Sequence, residues 1–144
     1  MHRLIYLSQL TRNMSHNEVA AMVARAQERN KSAGLTGLLI FMQGRFFQVL
    51  EGPETAVDHC FARIQQDTRH GGMRLLSSSE IKTRAFPDWK MSLFYPEQLP
   101  QQAHEAVMSI DTLLPMNSPE RGDCPKVRGL VREFLASFTR MAAA

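Results

Sequence analysis

Gln48 lies in the run Phe46-Phe47-Gln48-Val49-Leu50, and an amide buried among such neighbours costs roughly 1 to 3 kcal/mol unless its hydrogen bonds are met. Something polar must face it. Alternation along a strand puts Phe46, Gln48 and Leu50 on one face and Phe47 and Val49 on the other, and groups Leu4, Tyr6 and Ser8 in an earlier strand. Tyr6 and Gln48 can therefore meet on neighbouring strands, a phenol that donates against an amide that both donates and accepts. The ordinary pairing of buried polar groups is by itself sufficient reason for such a contact. Asn30, shortly before Gly34, stands where helix-ending residues stand. Trp89 and Met91, two residues apart, read first as packing neighbours on one strand face.

The familiar catalytic constellations are missing. There is no GxSxG, P-loop, HExxH or Rossmann GxGxxG pattern, and the Gly34, Gly37 pair is too sparse to cradle a phosphate. The five histidines, His2, His16, His59, His70 and His104, are too scattered for local chelation, so no metal site is expected. Cys60 and Cys124 show no CxxC or CxxH spacing, which favours a reducing compartment over a disulfide scaffold. Seventeen Lys and Arg against fourteen Asp and Glu give a net charge of only +3, a weak case for a nucleic-acid partner. Gly44-Arg-Phe-Phe superficially resembles the aromatic strand motif of RNA-binding modules, but Gln48 and Glu51 interrupt it. A small acylphosphatase-like hydrolase would need a phosphate loop that is not there. Arg3, Tyr6, Ser8 and Gln9 break any signal-peptide core, and no stretch is apolar enough to cross a bilayer. The expectation is a cytoplasmic protein without membrane attachment.

The elements that would position these residues can be read from periodicity. Residues 4–8 form a β-like run; residues 14–33 carry Val19, Met22, Val23 and Ala26 in one apolar helical stripe, with Gly34 as a stop. Residues 35–42 and 45–51 are strands joined by Gln43 and Gly44, a two-residue hairpin connection. Gly52 and Pro53 open a second helix, residues 54–67, striped by Val57, Cys60, Phe61 and Ile64. The chain is then expected to turn at Gly71 and Gly72, with strands at 73–81 and 89–94 joined by the polar stretch 82–88. The order β-α-β-β-α-β-β predicts an α+β, ferredoxin-like fold: an antiparallel sheet with two helices on one face. Beyond Pro96, residues 99–114 and 126–141 read as helices joined by a polar connector. Val127, Leu130, Val131, Phe134, Leu135, Phe138 and Met141 form a stripe suited to the other sheet face.

Taken together, Leu4-Ile-Tyr-Leu-Ser8, Arg29-Asn30, Gly34-Leu-Thr-Gly-Leu-Leu39, Gly44-Arg-Phe-Phe-Gln-Val-Leu-Glu-Gly-Pro53, Asp67-Thr-Arg-His70 and Arg84-Ala-Phe-Pro-Asp-Trp-Lys-Met91 resemble the successive signatures of BLUF (blue light using flavin) domains, in order and at family spacing. The resemblance covers residues 1 to about 95 and implies a photosensory domain there, with residues 96–144 a helical extension in the same compact unit. It implies a non-covalent FAD whose ring lies between the two helices. By position, Tyr6 is the photoactive tyrosine, Gln48 the switching amide, and Asn30 the residue holding the ring's carbonyl edge. Met22 and Ile64 sandwich the ring, Ser8 belongs to the same cofactor shell, and Asp67, Arg69 and His70, assisted by Lys31, lie on the ribityl and phosphate side. Trp89 and Met91 match a pair that exchanges between buried and exposed positions to relay the signal. An excited flavin is a strong oxidant, so a bonded tyrosine can donate an electron and a proton. Rotation or tautomerisation of Gln48 then stores the event as a changed hydrogen-bond network and a red-shifted spectrum. No substrate turnover is implied. With no repeat or effector-sized second domain visible, the output is expected to pass to a separate partner protein, and the apolar stripes of the last two helices suggest homo-oligomers.

Overall fold

The computed structural model describes residues 1–88, 90–94, and 127, 129, 130 and 132–134 of a C-terminal helical stretch. Strands β1 (His2–Leu10), β2 (Thr36–Met42), β3 (Arg45–Gly52), β4 (His70–Glu80) and β5 (Lys90–Phe94) alternate with helices α1 (His16–Ser32) and α2 (Glu54–Gln66) in the expected order. Helix α1 starts where Ser15 accepts from the Glu18 N–H and the Glu18 carboxylate accepts from the Ser15 N–H, a capping box that satisfies two otherwise orphaned donors. It ends at Gly34, whose φ of 77° a side chain would disfavour. The β2–β3 hairpin closes on Gln43 and Gly44, with φ of 51° and 74°, the positive pair that a tight two-residue turn requires.

The sheet runs β4-β1-β3-β2-β5. Its first four strands are antiparallel, as a ferredoxin-like fold demands, and β5 departs from the expected pattern by lying parallel to β2. The cause is the stretch after β4: β4 and β5 occupy opposite edges, so it crosses the whole sheet instead of turning back beside β4, burying Ala85 and Phe86 on the way. A second difference lies at Gly71 and Gly72, which belong to β4 itself. Gly72, with φ of 56°, lets this edge strand deform, and the β1–β4 register slips between Leu7 and Gln9 instead of the chain turning.

Strand alternation divides the core in two. On one face α1 packs Val19, Met22 and Val23 onto Leu39, Phe41 and Phe46, while α2 packs Val57 and Cys60 onto Leu4, Tyr6 and Leu50. The two clusters adjoin on β3, and Gln48 falls between Phe46 of the first and Leu50 of the second. On the other face Ile5, Leu38, Ile40, Phe47 and Val49 meet Phe86 of the crossing segment and Val127 and Phe134 of the C-terminal stretch, with the Phe47 and Phe134 rings 5.5 Å apart. The described part of that stretch is helical and apolar on its inward side. The earlier helix expected at 99–114, Trp89, and the remainder of 126–141 lie outside the described residues.

Polar groups also hold this second face together. Arg3 and Glu51 are both buried; Arg3 Nε donates to Glu51 Oε2 at 2.8 Å, with Arg3 Nη2 2.7 Å from the same oxygen. The carboxylate also accepts from the backbone N–H of Ala85 at 3.0 Å and of Phe86 at 2.7 Å, so it fixes the crossing segment to the central strand. Arg84 completes the attachment by donating to Thr36 Oγ1, the Glu51 carbonyl and the Gly34 carbonyl.

Candidate functional site

Strand register brings Tyr6 opposite Gln48, and the Tyr6 hydroxyl donates to Gln48 Oε1 within the core. Both β1–β4 register shifts, between Ile5 and Tyr6 and between Leu7 and Gln9, flank this tyrosine, as irregularities often do beside functional side chains. The Phe61 ring of α2 meets the Tyr6 ring edge-on at 5.1 Å and helps fix its orientation. Burial pushes the Tyr6 pKa well above the usual phenol range, the nearby Cys60 thiol adding to the effect, so the phenol is a protonated donor at neutral pH.

Gln48 also lines a crevice between α1 and α2. Met22 and Asn30 border it from α1, Ile64 from α2, and Asp67, Arg69 and His70 from the segment that follows. Seven side chains distant in sequence thus converge on one opening, each of them marked by the motifs or by a helical stripe. Ser8 stands just behind: it is buried, with its hydroxyl 3.4 Å from His70 Nδ1. Lys31 follows Asn30 on the exposed side of α1 and does not border the crevice, because one residue along a helix turns the side chain by about 100°. Met91 enters through its backbone alone, paired with Leu39, which is itself the register partner of Gln48. Val23, Ala26, Arg29, Leu39, Phe46, Cys60 and Arg63 complete the lining. Of these, Phe46 was legible as Gln48's neighbour on the same strand face, Cys60 as part of the α2 stripe and Arg29 as part of the Arg29-Asn30 motif; no pattern distinguishes Arg63 from a surface arginine.

The charges are arranged at the rim. Arg69 grips Asp67 with a two-pronged contact, Nε to Oδ1 at 3.0 Å and Nη2 to Oδ2 at 2.6 Å. That hydrogen bonding, reinforced by the Arg69 N–H and working against burial, lowers the Asp67 pKa from 3.8 to about 2. Burial pushes His70 below its ordinary value, partly offset by Asp67 and deepened by Arg69, so its ring is neutral at pH 7. The Phe46 ring lies 4.9 Å from it.

The donor set suits a planar heteroaromatic ligand with carbonyl groups. Asn30 and Gln48 are 2% and 8% exposed, and among the described residues neither amide NH2 has a hydrogen-bond partner. Both residues line the crevice, so their NH2 groups are free to donate to a ligand acceptor there. Apolar side chains from both helices supply faces for a ring, and Arg29, Arg63 and Arg69 supply positive charge at the openings. The crevice is narrow, about 50 Å³, so a ring entering it must displace Met22 and Ile64; methionine, unbranched and flexible, suits that adjustment. A larger hollow of about 360 Å³ opens beside Leu7, Arg45 and Leu130 but contains neither paired amide. Among the described residues no group of His, Cys, Asp and Glu could hold a metal ion, and no helix is long and apolar enough to cross a membrane.

The chain is similar to several known proteins. The beta subunit of photoactivated adenylate cyclase from Euglena longa is 36% identical over 97 residues, 67% of this chain and 11% of its own length. The blue light- and temperature-regulated antirepressor BluF of Escherichia coli is 36% identical over 91 residues, 63% of this chain and 23% of its own. The chain thus spans about a tenth to a quarter of the length of these relatives. Among solved structures, the dark state of BlrB, a BLUF protein, aligns with a TM-score of 0.64 and 28% identity over 94% of this chain and 96% of that one. Klebsiella pneumoniae BlrP1, in a calcium/cy-diGMP complex, aligns with a TM-score of 0.75 and 30% identity over 94% of this chain and 34% of that one. The family model described as sensors of blue-light using FAD matches residues 1–92, the stretch that contains the Tyr6–Gln48 pair and every crevice residue. By sequence and fold alike, this chain belongs to the BLUF family of flavin-based blue-light sensors.

Proposed function

We propose that this chain is a blue-light photoreceptor that holds FAD non-covalently between α1 and α2, switches through Tyr6 and Gln48, and signals to a separate partner protein without turning over a substrate. The observation that carries this reading is the buried hydrogen bond from the Tyr6 hydroxyl to Gln48 Oε1 at the wall of a crevice lined by two amides, Asn30 and Gln48, whose NH2 groups are free to donate to a ligand. Asn30 and Gln48 offer those donors to the ring carbonyls. Met22 and Ile64 cover its faces, and Ser8, Asp67, Arg69 and His70 attend the ribityl and phosphate side. The FAD supplies an excited-state electron acceptor. Tyr6 is the electron donor, and on oxidation its phenol becomes strongly acidic, so the proton passes along the existing bond from the Tyr6 hydroxyl to Gln48 Oε1. When the electron returns, Gln48 would give one proton back to Tyr6, from oxygen if the amide has rotated or from nitrogen if it has become the tautomer, so that its donor and acceptor ends are exchanged while Tyr6 is restored. The low dielectric of the site makes that exchange consequential, because each buried group must find a new partner.

A route outward is supported by register. Tyr6, Gln48, Leu39 and Met91 form one row across β1, β3, β2 and β5, so a change at Gln48 is two strands from the edge strand that carries Met91. In this reading residues 1–95 are the sensor, Trp89 and Met91 the relay, and residues 96–144 the extension that meets the partner. The test is direct. The purified chain is expected to be yellow, or to become so on incubation with FAD, and to release FAD when denatured and chromatographed. A chain that neither carries nor takes up any flavin would overturn the proposal.

A further inference from the structure

Cys60 has no role in the switch just described, yet it sits at its centre. The α2 stripe Val57, Cys60, Ile64 turns its thiol inward, where it is 2% exposed and borders the same crevice as Asn30 and Gln48. Its Sγ donates to Asn30 Oδ1 at 3.3 Å, a bond from α2 to α1 across the crevice. Asn30 does not spend its side chain on ending its own helix: its backbone carbonyl does that, accepting from the N–H of Ala33 and Leu35. The Asn30 amide is therefore oriented by Cys60.

That orientation matters because a primary amide is nearly symmetric in shape and opposite in chemistry at its two ends. Flipped by 180°, Asn30 would present a carbonyl oxygen to a ligand carbonyl, a repulsive contact in place of a hydrogen bond. In the orientation observed the S–H donates to the oxygen end, which leaves the NH2 for the ligand. We propose that Cys60 is a positioning residue for the flavin site, its thiol fixing the Asn30 amide so that NH2 is the end offered to the flavin carbonyl. The inference rests on the flavin reading above and adds to it a residue outside the motifs that mark the site. The thiol is in the protonated form this role needs: burial raises its pKa, outweighing the pull of Arg63 and Arg29 in the other direction. It also lies in the same buried cluster as Tyr6, whose pKa it helps to raise. Cys60 therefore bonds the amide that holds the ligand and shares a buried cluster with the phenol that drives the switch.

The test uses the full chain loaded with FAD, with Cys60→Val to remove the donor at similar volume and Cys60→Ser to restore a donor. Light-minus-dark infrared spectra read two signals that a merely structural residue would not move: the S–H stretch, which lies clear of other protein bands, and the flavin carbonyl stretch. In the wild type an S–H band should appear in the difference spectrum and vanish in Cys60→Val. The dark-state carbonyl band should rise in frequency in Cys60→Val and return toward the wild-type position in Cys60→Ser. In an Asn30→Ala background, Cys60→Val should produce no further carbonyl shift. If valine crowds the crevice and flavin is not retained, Cys60→Ala reads the same band. A carbonyl band at the wild-type position in the donor-less variant would overturn the inference while leaving the flavin reading intact, whereas a wild-type chain that takes up no flavin would overturn that reading and this inference with it.

Discussion

The Glu51 carboxylate offers a quantitative test of how the sheet is tied to the segment that leads into β5. Removing one partner of a buried ion pair costs about 3 to 5 kcal/mol, and each backbone N–H stripped of its acceptor adds about 1 to 3 kcal/mol. Glu51→Ala withdraws the carboxylate from the Arg3 guanidinium and from the Ala85 and Phe86 N–H groups at once. The sum reaches much of the 5 to 15 kcal/mol that holds a typical domain together, so this variant should be largely unfolded at 25 °C. The double variant Arg3→Met, Glu51→Leu is the sharper probe. Replacing a buried ion pair by apolar side chains of similar volume is often neutral or stabilising, so if the carboxylate served only Arg3 the double variant would match the wild type. Because it also holds two N–H groups, a net loss of about 2 to 6 kcal/mol is expected. Urea unfolding followed by circular dichroism would show this as a midpoint lowered by roughly 1 to 3 M at an m-value of about 2 kcal/mol/M. A double variant with the wild-type midpoint would refute the claim that Glu51 clamps the crossing segment.

Other perturbations act nearer the site. Gln48→Leu keeps the volume and removes the acceptor of a fully buried phenol; it should cost about 1 to 3 kcal/mol in urea unfolding and abolish the blue-light difference spectrum of the flavin-loaded chain. Gly37→Ala would place a Cβ 1.8 Å from the Val49 carbonyl oxygen, a backbone clash that no rotamer relieves. A loss of about 3 kcal/mol or more is expected by the same unfolding assay. Arg69 lowers the Asp67 pKa from 3.8 to about 2, so the stability this pair contributes is full above about pH 4 and is lost as pH falls through 2. The difference in melting temperature between wild type and Asp67→Asn should therefore shrink from pH 5 to pH 2, and a constant difference would contradict the pairing.

Much of the sheet was legible because its faces alternate cleanly: the same period of two that groups Phe46, Gln48 and Leu50 puts Tyr6 opposite Gln48 once β1 and β3 pair. The helix stripes were equally plain, and Val19, Met22, Val23, Val57 and Cys60 are all buried. The place of β5 was hidden, because the polar residues between 82 and 88 suit a short return as well as a crossing, and the deciding contact is made by Glu51, more than thirty positions earlier. A glutamate at a strand end reads as an interruption; only its alternation with Phe47 and Val49 indicates that it points into the second core. Gly71 and Gly72 suggested a turn because glycine permits both turns and strand irregularities, and sequence does not distinguish them. Cys60 was visible as a core residue and not as a site residue, since its significance comes from a hydrogen bond to another helix.

The central claim is that the Tyr6–Gln48 hydrogen bond is a light-driven switch, and the most direct measurement is the blue-light-minus-dark absorption spectrum of the FAD-loaded wild type beside that of Tyr6→Phe. The phenylalanine keeps the ring that packs on Phe61 and removes only the hydroxyl. The wild type should show a red shift that reverses in the dark. The variant should bind flavin equally well and show no shift, and a normal, reversible red shift in Tyr6→Phe would contradict the account.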